Sequence, residues 1–391
     1  MIFVDIQLYM KTALVVGGSN GIGAAIVEQL LHQNYTQIFV LDKSKPAVDF
    51  GSKIVFVKHN LLQFDISVLE QFADIDTLII TAGFGRIATF DSIVDIEIAN
   101  SFRVNAETVC RIIKFFYAKI QSTGNFYCAV MGSIAGLVAS PMFALYGATK
   151  SAVCSFIESI NIELEKHGTS NRILNVSPGS IAGTRFNGGE TDLVQIRELA
   201  QEIVQKMFQK QSLFIPQFDE IYGRVLNNYK ENPHEFALQS FDYKNNSDRK
   251  NTKPQLKIGY LSGTFDLFHI GHLNLLRRAK EHCDYLVVGI NQNASHKGKQ
   301  TFISWEERFE IVKNIRCVDK VILAPKEDTD AHAEIQYDFL FVGSDYQGSE
   351  RFNRYEEFFK NTDVKIVYFP YTQTTSSTQL RSVIDAKIFD K

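Results

Sequence analysis

The 391-residue sequence has little cysteine, one tryptophan and no strong excess of charge of either sign. Its five cysteines form no C-x-x-C pair, which argues against a zinc site or a disulfide framework and predicts buried thiols. With 41 basic and 44 acidic residues the net charge is -3, so bulk charge predicts neither a nucleic-acid partner nor binding to a membrane surface. The cysteines are Cys110, Cys128, Cys154, Cys283 and Cys317.

Long apolar runs are also missing. No run approaches the roughly 20 residues that a membrane-spanning helix needs. Residues 1–10 contain Asp5 and lack both a basic leader and a long apolar core, so they do not resemble a signal peptide. We therefore expect a cytoplasmic protein without membrane insertion. Its 45% hydrophobic and 22% charged residues are typical of a soluble globular protein, and its length predicts two domains.

Short β-branched runs alternate with helical patterns through residues 13–176, which predicts a parallel, doubly wound sheet. Apolar content then falls sharply in residues 241–255 (FDYKNNSDRKNTKPQ), which predicts a linker. A new strand, LKIGYLSG, follows, and the alternation resumes. The predicted fold class is therefore α/β, with two doubly wound parallel-sheet domains in tandem, at residues 1–240 and 256–391.

A glycine-rich turn follows the first predicted strand and opens a helix. A dinucleotide pyrophosphate needs backbone N–H groups at a helix N-terminus, and side chains there would hold it away, although an ordinary tight turn can also be glycine-rich. The second strand ends at Asp42, whose carboxylate would accept hydrogen bonds from ribose hydroxyls and repel a 2′-phosphate. This favours NAD(H) over NADP(H), although the neighbouring positive charge of Lys43 weakens the preference. The turn comprises Gly17, Gly18, Ser19, Asn20, Gly21, Ile22 and Gly23.

A serine, a tyrosine and a lysine further along have the spacing of a proton-transfer group. Ser133 ends a predicted strand, Tyr146 follows 13 residues later, and Lys150 lies one helical turn beyond it. A nearby cation favours the phenolate of a tyrosine, which has an ordinary pKa near 10. The serine hydroxyl could hold a substrate carbonyl oxygen while the phenol protonates it and a nicotinamide delivers hydride.

With these motifs, residues 11–240 resemble the short-chain dehydrogenase/reductase superfamily. The resemblance implies that Ser133, Tyr146 and Lys150 are catalytic and that Asn105 supports the lysine through water. Two residues depart from the usual pattern: Asn60 stands where the family often has an aspartate, and Thr81 replaces an asparagine. The other cofactor-binding positions that the resemblance implies, beyond the glycine-rich turn and Asp42, are Asn60, Ala82, Gly83, Pro178, Gly179 and Thr184.

A second motif, GTFDLFHIGH, follows the first strand of the second predicted domain. His269 and His272 lie three residues apart at a predicted helix N-terminus, so both could face one anion, and Gly271 lets the backbone approach it. Their N–H donors suit the charge that develops on a nucleotide α-phosphate and on departing pyrophosphate. Paired histidines could also bind a metal, but no third ligand has suitable spacing, so we predict no protein-held metal.

Residues 257–385 resemble the cytidylyltransferase family of the HxGH nucleotidyltransferases, and are most similar to glycerol-3-phosphate cytidylyltransferases. The resemblance implies CTP as the nucleotide, although relatives use ATP, and it places Lys297 and Lys299 on phosphates. Mg²⁺ is expected with the triphosphate. Tyr371 and Gln373 replace an arginine and a glutamate, which leaves the polyol and the base open. The implied nucleotide- and substrate-binding residues are Gly263, Thr264, Phe265, Arg308, Arg316, Asp345, Ser376, Ser377 and Thr378.

Together the two motifs predict a bifunctional enzyme. It would reduce a ketose phosphate with NAD(P)H and transfer CMP from CTP to the resulting polyol phosphate, giving CDP-ribitol, CDP-glycerol or a similar unit for a surface polysaccharide. Two alternatives stay open: cytidylyl transfer to the ketose phosphate before reduction, and a chain in which one domain is a non-catalytic binding module. Both families imply a homo-oligomer.

Overall fold

The computed structural model describes residues 11–46, 48–184, 186, 190–246, 256–293, 300–370 and 379–382. The chain divides into two compact units, Met1–Pro254 and Gln255–Lys391. Each unit has its own parallel sheet with helices on both faces. The predicted fold class, two parallel-sheet α/β domains in tandem, is confirmed.

The sheet of the first unit has seven strands in the order β3-β2-β1-β4-β5-β6-β7, and all neighbours are parallel. The direction of winding reverses between β1 and β4. Ligands of such sheets bind where the carboxyl ends of the two central strands diverge. The strands are β1 (Lys11–Val16), β2 (Tyr35–Asp42), β3 (Ile54–Lys58), β4 (Thr77–Ile80), β5 (Tyr127–Met131), β6 (Ile173–Val176) and β7 (Leu213–Phe214).

Two hydrophobic clusters hold helices against the two faces of this sheet. Leu14 and Leu78 pack with α3 and α4 on one face, whereas Val15 and Ile79 pack with α1 and α5 on the other. Alternate residues of each strand therefore serve opposite cores, as a sheet buried on both sides requires. The helices are α1 (Gly21–Leu31), α2 (Asp95–Phe102), α3 (Thr108–Gln121), α4 (Ala144–Lys166), α5 (Leu193–Phe208), α6 (Gly223–Glu231) and α7 (Pro233–Asn245).

Helix α7 extends into the predicted linker, so residues 241–245 are helical rather than part of a solvated connection. The helix starts well: the Asn232 side chain accepts a hydrogen bond from a first-turn N–H at 3.1 Å, and Pro233 occupies a first-turn position. Its last turn is held by Lys244, which hydrogen-bonds to a loop of the same unit. The segment buries little apolar surface, and capping together with this polar contact supports the helix.

The second unit has a five-stranded parallel sheet in the order β10-β9-β8-β11-β12. Its winding reverses between β8 and β11, which brings the loops after these two strands to one edge. The strands are β8 (Ile258–Gly263), β9 (Tyr285–Ile290), β10 (Lys320–Leu323), β11 (Phe339–Gly343) and β12 (Lys365–Phe369). The helices are α8 (Ile270–His282), α9 (Trp305–Lys313), α10 (Asp328–Ile335) and α11 (Glu350–Phe359).

Within the described ranges, no helix has the length and apolar character needed to cross a membrane. The same residues contain no group of three histidine, cysteine or acidic side chains placed to hold a metal ion. Cys128, Cys154 and Cys283 are buried as predicted, whereas Cys110 and Cys317 are only partly buried.

Candidate active sites

The glycine-rich turn lies at the carboxyl end of β1, where the winding of the first sheet reverses. Gly17 has φ +88°, and a Cβ there would lie 2.5 Å from the backbone nitrogen of Ala82. A Cβ on Gly23 would lie 2.2 Å from the Gly17 carbonyl oxygen. The Thr81 hydroxyl donates to this same oxygen at 3.0 Å. Thr81, the departure from the usual asparagine, therefore ties the end of β4 to the turn.

Asp42 is joined to the turn by hydrogen bonds. Its carboxylate accepts one from the backbone N–H of Ser19 at 3.1 Å and one from that of Ser44 at 3.3 Å, and the Ser19 hydroxyl donates to the Ser44 carbonyl at 2.6 Å. This places a carboxylate beside the turn, as predicted. Asn60 lies two residues beyond β3, and its side chain caps a short helical turn by accepting from Leu62 N–H at 3.1 Å.

The N-terminus of α1 lies beside the segment that follows β6. Gly21 has φ +53°, and its N–H donates to the Thr191 hydroxyl at 3.1 Å. A Cβ on Gly21 would lie 3.8 Å from Thr184, which is buried and donates to the Ile181 carbonyl at 2.9 Å. The structure therefore brings the predicted cofactor residues Gly21 and Thr184 together, and it adds Thr191, which no sequence motif indicated.

Ser133, Tyr146 and Lys150 converge at the carboxyl end of β5. The Ser133 hydroxyl accepts from Ala135 N–H at 3.2 Å and hydrogen-bonds to Tyr146. Lys150 is buried at 2% exposure; it donates to the Met131 carbonyl at 2.7 Å, and its Nζ lies 5.7 Å from the centre of the Tyr146 ring. Tyr146 and Lys150 lie one turn apart on the same face of helix α4. Their spacing in the sequence therefore brings the two side chains together.

Burial sets the protonation of this cluster. It raises the pKa of Tyr146 to about 12, which outweighs the opposite effect of the Ser133 hydrogen bond, and it lowers the pKa of Lys150 to about 8. Stabilisation of the phenolate by Lys150 stays a prediction. At neutral pH the phenol holds its proton and can donate it.

Asn105 is fully buried in a π-helical turn, Arg103–Glu107, between α2 and α3. Its side chain accepts from Phe84 N–H at 3.0 Å and donates to the Phe84 carbonyl at 2.8 Å and to the Thr149 hydroxyl at 3.1 Å. A Cβ on Gly83 would lie 3.2 Å from the Asn105 side-chain oxygen and 3.4 Å from the Lys150 Nζ. Asn105 thus links the segment after β4 to the helix that carries the tyrosine and the lysine.

Aromatic rings border the tyrosine, and sequence reasoning missed them. Phe143 and Phe186 lie 5.2 Å and 5.0 Å from the Tyr146 ring, measured between centroids. A Cβ on Gly179 would lie 1.6 Å from the Tyr222 hydroxyl oxygen, so only glycine fits there. The carbonyl of Pro178, the residue before Gly179, accepts from Ile134 N–H at 3.0 Å. This hydrogen bond joins the segment after β6 to the turn after Ser133.

In the second unit, the loop after β8 has a strained backbone. Phe265 and Leu267 have φ of +53° and +50°, and a Cβ on Gly263 would lie 2.8 Å from the Phe265 ring. The Thr264 hydroxyl is buried and has no hydrogen-bond partner among the described residues. Strain of this kind is retained at functional sites, where it orients neighbouring groups.

The two histidines of this loop lie side by side at the N-terminus of α8, with ring centroids 4.0 Å apart and ring planes inclined at 31°. His269 Nδ1 accepts from Gly271 N–H at 3.0 Å, and His272 Nδ1 accepts from His269 N–H at 3.4 Å. A neutral imidazole that accepts through Nδ1 carries its proton on Nε2. Burial also lowers the pKa of His269, which favours the neutral ring. Both rings therefore offer an Nε2–H donor at a helix N-terminus.

Arg308 reaches this loop, but its guanidinium is already engaged. It is fully buried and donates to the carbonyls of Ile303, Thr264, Asn291 and Gln292 at 2.5 to 3.0 Å. The contact of Arg308 with nucleotide phosphate stays a prediction, and the carbonyl contacts give this residue a structural role as well. Arg308 holds together the loops at the carboxyl ends of β8 and β9.

Two further predicted residues lie at opposite edges of the sheet. Asp345 follows β11 in a short helical turn, at the same edge as the histidines. Arg316 is exposed and precedes β10, so in a parallel sheet it lies at the amino edge, away from the histidine loop. Nucleotide binding by Arg316 stays a prediction. Outside the described residues lie Lys297, Lys299, Tyr371, Gln373, Ser376, Ser377 and Thr378.

A buried ion pair that sequence reasoning missed joins three segments of the second unit. Asp266, 4% exposed, accepts from Phe302 and Ile303 N–H, each at 3.0 Å, and pairs with Arg381. Arg381 also donates to the Gln300 carbonyl at 2.7 Å and lies over the Phe302 ring. The pair connects the histidine loop with the residues that follow both predicted phosphate-binding segments.

These geometries define the class of each unit. The first has a Rossmann-type sheet with a glycine-rich turn and a Ser–Tyr–Lys cluster, and the second has a histidine pair at the switch point of a smaller parallel sheet. Residues 11–193 match the family described as short chain dehydrogenase, and residues 260–383 match the family described as cytidylyltransferase-like. The chain therefore contains a short chain dehydrogenase domain in its first unit, and it belongs to the cytidylyltransferase-like proteins through its second.

Known relatives divide in the same way. A glycerol-3-phosphate cytidylyltransferase of Bacillus subtilis is 36% identical over 126 residues, which are 31% of this chain and 92% of the relative. An uncharacterized oxidoreductase of Staphylococcus epidermidis is 26% identical over 222 residues, 51% of this chain and 91% of the relative. The crystal structure of a Burkholderia cenocepacia short chain dehydrogenase in complex with NADP superposes with a TM-score of 0.50 at 22% identity, covering 60% of this chain and 99% of the other; this supports the fold alone.

Proposed function

We propose that the chain is a bifunctional enzyme that reduces a ketose phosphate to a polyol phosphate with NAD(H) and then transfers CMP from CTP to the polyol phosphate. The products are a CDP-polyol, such as CDP-ribitol or CDP-glycerol, and pyrophosphate. One observation carries the proposal: a single chain contains both a Ser133–Tyr146–Lys150 cluster and a His269–His272 pair at the carboxyl edges of two separate sheets. The alcohol that the first site forms is the kind of group that the second family activates.

In the reduction, Ser133 holds the carbonyl oxygen and Tyr146 donates its proton to it. The pKa of Tyr146, raised to about 12, keeps the phenol protonated at neutral pH, and the ammonium of Lys150 stabilises the phenolate left behind. A bound nicotinamide supplies the hydride. The residues fit this cofactor: a Cβ at position 17 or 23 would collide with the turn, so the backbone stays open to a pyrophosphate.

We propose NAD(H) rather than NADP(H) because of the position of Asp42. Its carboxylate is fixed beside the turn by the N–H groups of Ser19 and Ser44. An anionic group held there would accept ribose hydroxyls and would repel a 2′-phosphate.

In the transfer, the Nε2–H groups of His269 and His272 donate to the α-phosphate of CTP as the polyol phosphate attacks and pyrophosphate leaves. Donors that are already oriented at a helix N-terminus stabilise the added charge without reorganisation. The strained loop at Phe265 and Leu267 and the buried Arg308 fix the position of these donors. Mg²⁺ is expected to arrive with the triphosphate.

Two assays on the full chain test the proposal. Pyrophosphate release is measured with CTP or ATP and a panel of glycerol, ribitol and other pentitol phosphates, and NADH oxidation is measured with the corresponding ketose phosphates. We expect turnover with CTP and one polyol phosphate, and with its ketose phosphate in the other assay. Reduction of only the CDP-linked ketose would reverse the proposed order, and silence in both assays would refute the proposal.

A further inference from the structure

A lysine of α7 lies beside the reductase cluster and has no part in the chemistry described above. The Lys244 ammonium donates to the Ser140 hydroxyl at 2.7 Å, to the Pro141 carbonyl at 2.9 Å and to the Ser240 hydroxyl at 3.1 Å. These partners come from two separate parts of the first unit, the segment between Ser133 and Tyr146 and the helix α7 itself. A cationic group is thereby fixed against the loop that leads into the catalytic helix.

The lysine is one aromatic ring away from the proposed proton donor. Its Nζ lies 5.6 Å from the centroid of the Phe143 ring, and that ring lies 5.2 Å from the Tyr146 ring. The Cβ of Ser140 lies 3.7 Å from the position that a Cβ on Gly147 would take, next to Tyr146 in the chain. A ketose whose carbonyl contacts Tyr146 would extend past Phe143 toward this group.

The chemistry of the cluster suits a phosphate. Each serine hydroxyl accepts a hydrogen from the lysine and still has its own hydrogen to donate. The three N–H groups of the Lys244 ammonium are already given to Ser140, Pro141 and Ser240. The cluster therefore offers a phosphate the positive charge of the ammonium and the two hydroxyl hydrogens. Burial lowers the pKa of Lys244 to about 8, and an adjacent anion would stabilise the charged form and compensate for this desolvation.

We propose that Lys244, with Ser140 and Ser240, binds the phosphate of the ketose in the reductase site. The inference rests on the proposed function, since it names what distinguishes that ketose from a neutral one. The phosphate has two possible sources, the terminal monoester of a free ketose phosphate or the diphosphate of a CDP-linked ketose. Both offer the same anionic oxygens, and the choice of substrate in the assay separates them.

The test is a substrate-selective loss in the full chain. Lys244→Met keeps the aliphatic stem against Phe143 and removes the charge. Lys230→Met, an exposed change on α6, is the matched control. Each variant is assayed for NADH oxidation with ribulose 5-phosphate and ribulose, with dihydroxyacetone phosphate and dihydroxyacetone, and with the CDP-linked ketose.

We expect Lys244→Met to lower kcat/KM for the phosphorylated substrate about 10- to 100-fold, because the attraction between the ammonium and the phosphate in a partly buried site is lost. It should change kcat/KM for the unphosphorylated ketose by less than about twofold. Lys244→Arg should restore most of the loss. A selective loss on the CDP-linked ketose alone would assign the site to its diphosphate. An equal loss on phosphorylated and neutral ketoses, or no loss, would overturn the proposal and leave the proposed function standing.

If no ketose is reduced, the proposed function fails, and a binding measurement then tests the anion site at Lys244 separately. Inorganic phosphate is then titrated calorimetrically into the full chain saturated with NADH and CTP, which occupy the dinucleotide and triphosphate positions. The polyol-phosphate position stays open equally in the wild type and in both variants. Binding that Lys244→Met abolishes and Lys230→Met retains would support an anion site at Lys244. Identical isotherms for wild type and Lys244→Met would overturn it.

Discussion

At the scale of single residues, burial determines which groups of the reductase cluster hold a proton at neutral pH. The pKa of Tyr146 is raised to about 12, so its phenol is an acid at neutral pH, and the pKa of Lys150 is lowered to about 8, so its ammonium is lost above that pH. We therefore expect kcat for reduction to be constant through neutral pH and to fall above about pH 8. The reverse oxidation needs the phenolate, so its rate should rise with pH, by up to about tenfold per unit.

Both directions are measured as pH–rate profiles of the full chain, with Tyr146→Phe as the control that has no ionisable proton. Tyr146→Phe should abolish both reactions and leave pyrophosphate release unchanged. A reduction rate that rises with pH would contradict the assignment of Tyr146 as the proton donor.

The two arginines predicted to bind nucleotide offer a second residue-scale test. Arg308 is buried and serves four carbonyls, whereas Arg316 is exposed. Arg308→Met should lower the free energy of unfolding of the second unit by about 3 kcal/mol, because buried carbonyls lose their partners. Arg316→Met should change it by less than about 0.5 kcal/mol. The single tryptophan, Trp305, lies in this unit and reports its urea unfolding by fluorescence. Equal stability of the two variants would contradict the structural role of Arg308.

The sequence was sufficient for the Ser133–Tyr146–Lys150 cluster because helical spacing alone places Tyr146 and Lys150 on one face. It could not predict the carbonyl contacts of Arg308, since a guanidinium can donate to carbonyls or to phosphates and the sequence does not show which of them surround it. The raised pKa of Tyr146 could not be predicted either, because it follows from burial of the phenol, and part of its surroundings, such as Phe186, comes from far along the chain.

At the scale of elements, the alternation of strands and helices was readable from periodicity, whereas the contacts that end or bend an element were not. Helix α7 continues to Asn245 because Lys244 hydrogen-bonds to a loop about 100 residues earlier, with sequence separations of 104 and 103. The π-helical turn at Arg103–Glu107 likewise depends on Asn105 and its partners on distant segments. Such long-range hydrogen bonds cannot be predicted from the local amino-acid composition.

The Asp266–Arg381 pair gives a prediction at this scale, because it connects three segments rather than acting on one. Arg381→Met should release residues 300–303 and the helix start at 379–382 from the histidine loop. We expect KM for CTP to rise about tenfold or more, with reduction of the ketose unchanged. Arg354→Met, which removes an exposed arginine with a loose 3.9 Å contact to Glu327, is the matched control.

Pyrophosphate release as a function of CTP concentration measures this effect. Arg381→Lys retains a charge but not the forked geometry, so it should recover part of the affinity and no more. If Arg381→Met and Arg354→Met gave the same KM for CTP, the ion pair would have no positioning role.

At the scale of the whole molecule, the two units are distinguished by their cores. The hydrophobic clusters of the first unit contain no residue beyond Phe214, and those of the second begin at Ile258. Each sheet is also complete within its own unit. Homo-oligomerisation and a cytoplasmic location stay predictions, the first of which sedimentation of the full chain would test.

Separate cores predict separable activities. We expect residues 1–246 and 256–391, expressed apart, each to fold cooperatively and to keep the kcat of its own reaction within about twofold of the full chain, because no described core residue is removed from either. Circular dichroism melts and the two assays measure this, and an equimolar mixture of the fragments serves as the control. Loss of one activity in its fragment, restored by adding the other fragment, would show that the site depends on contacts between the units and would refute the independence that their cores predict.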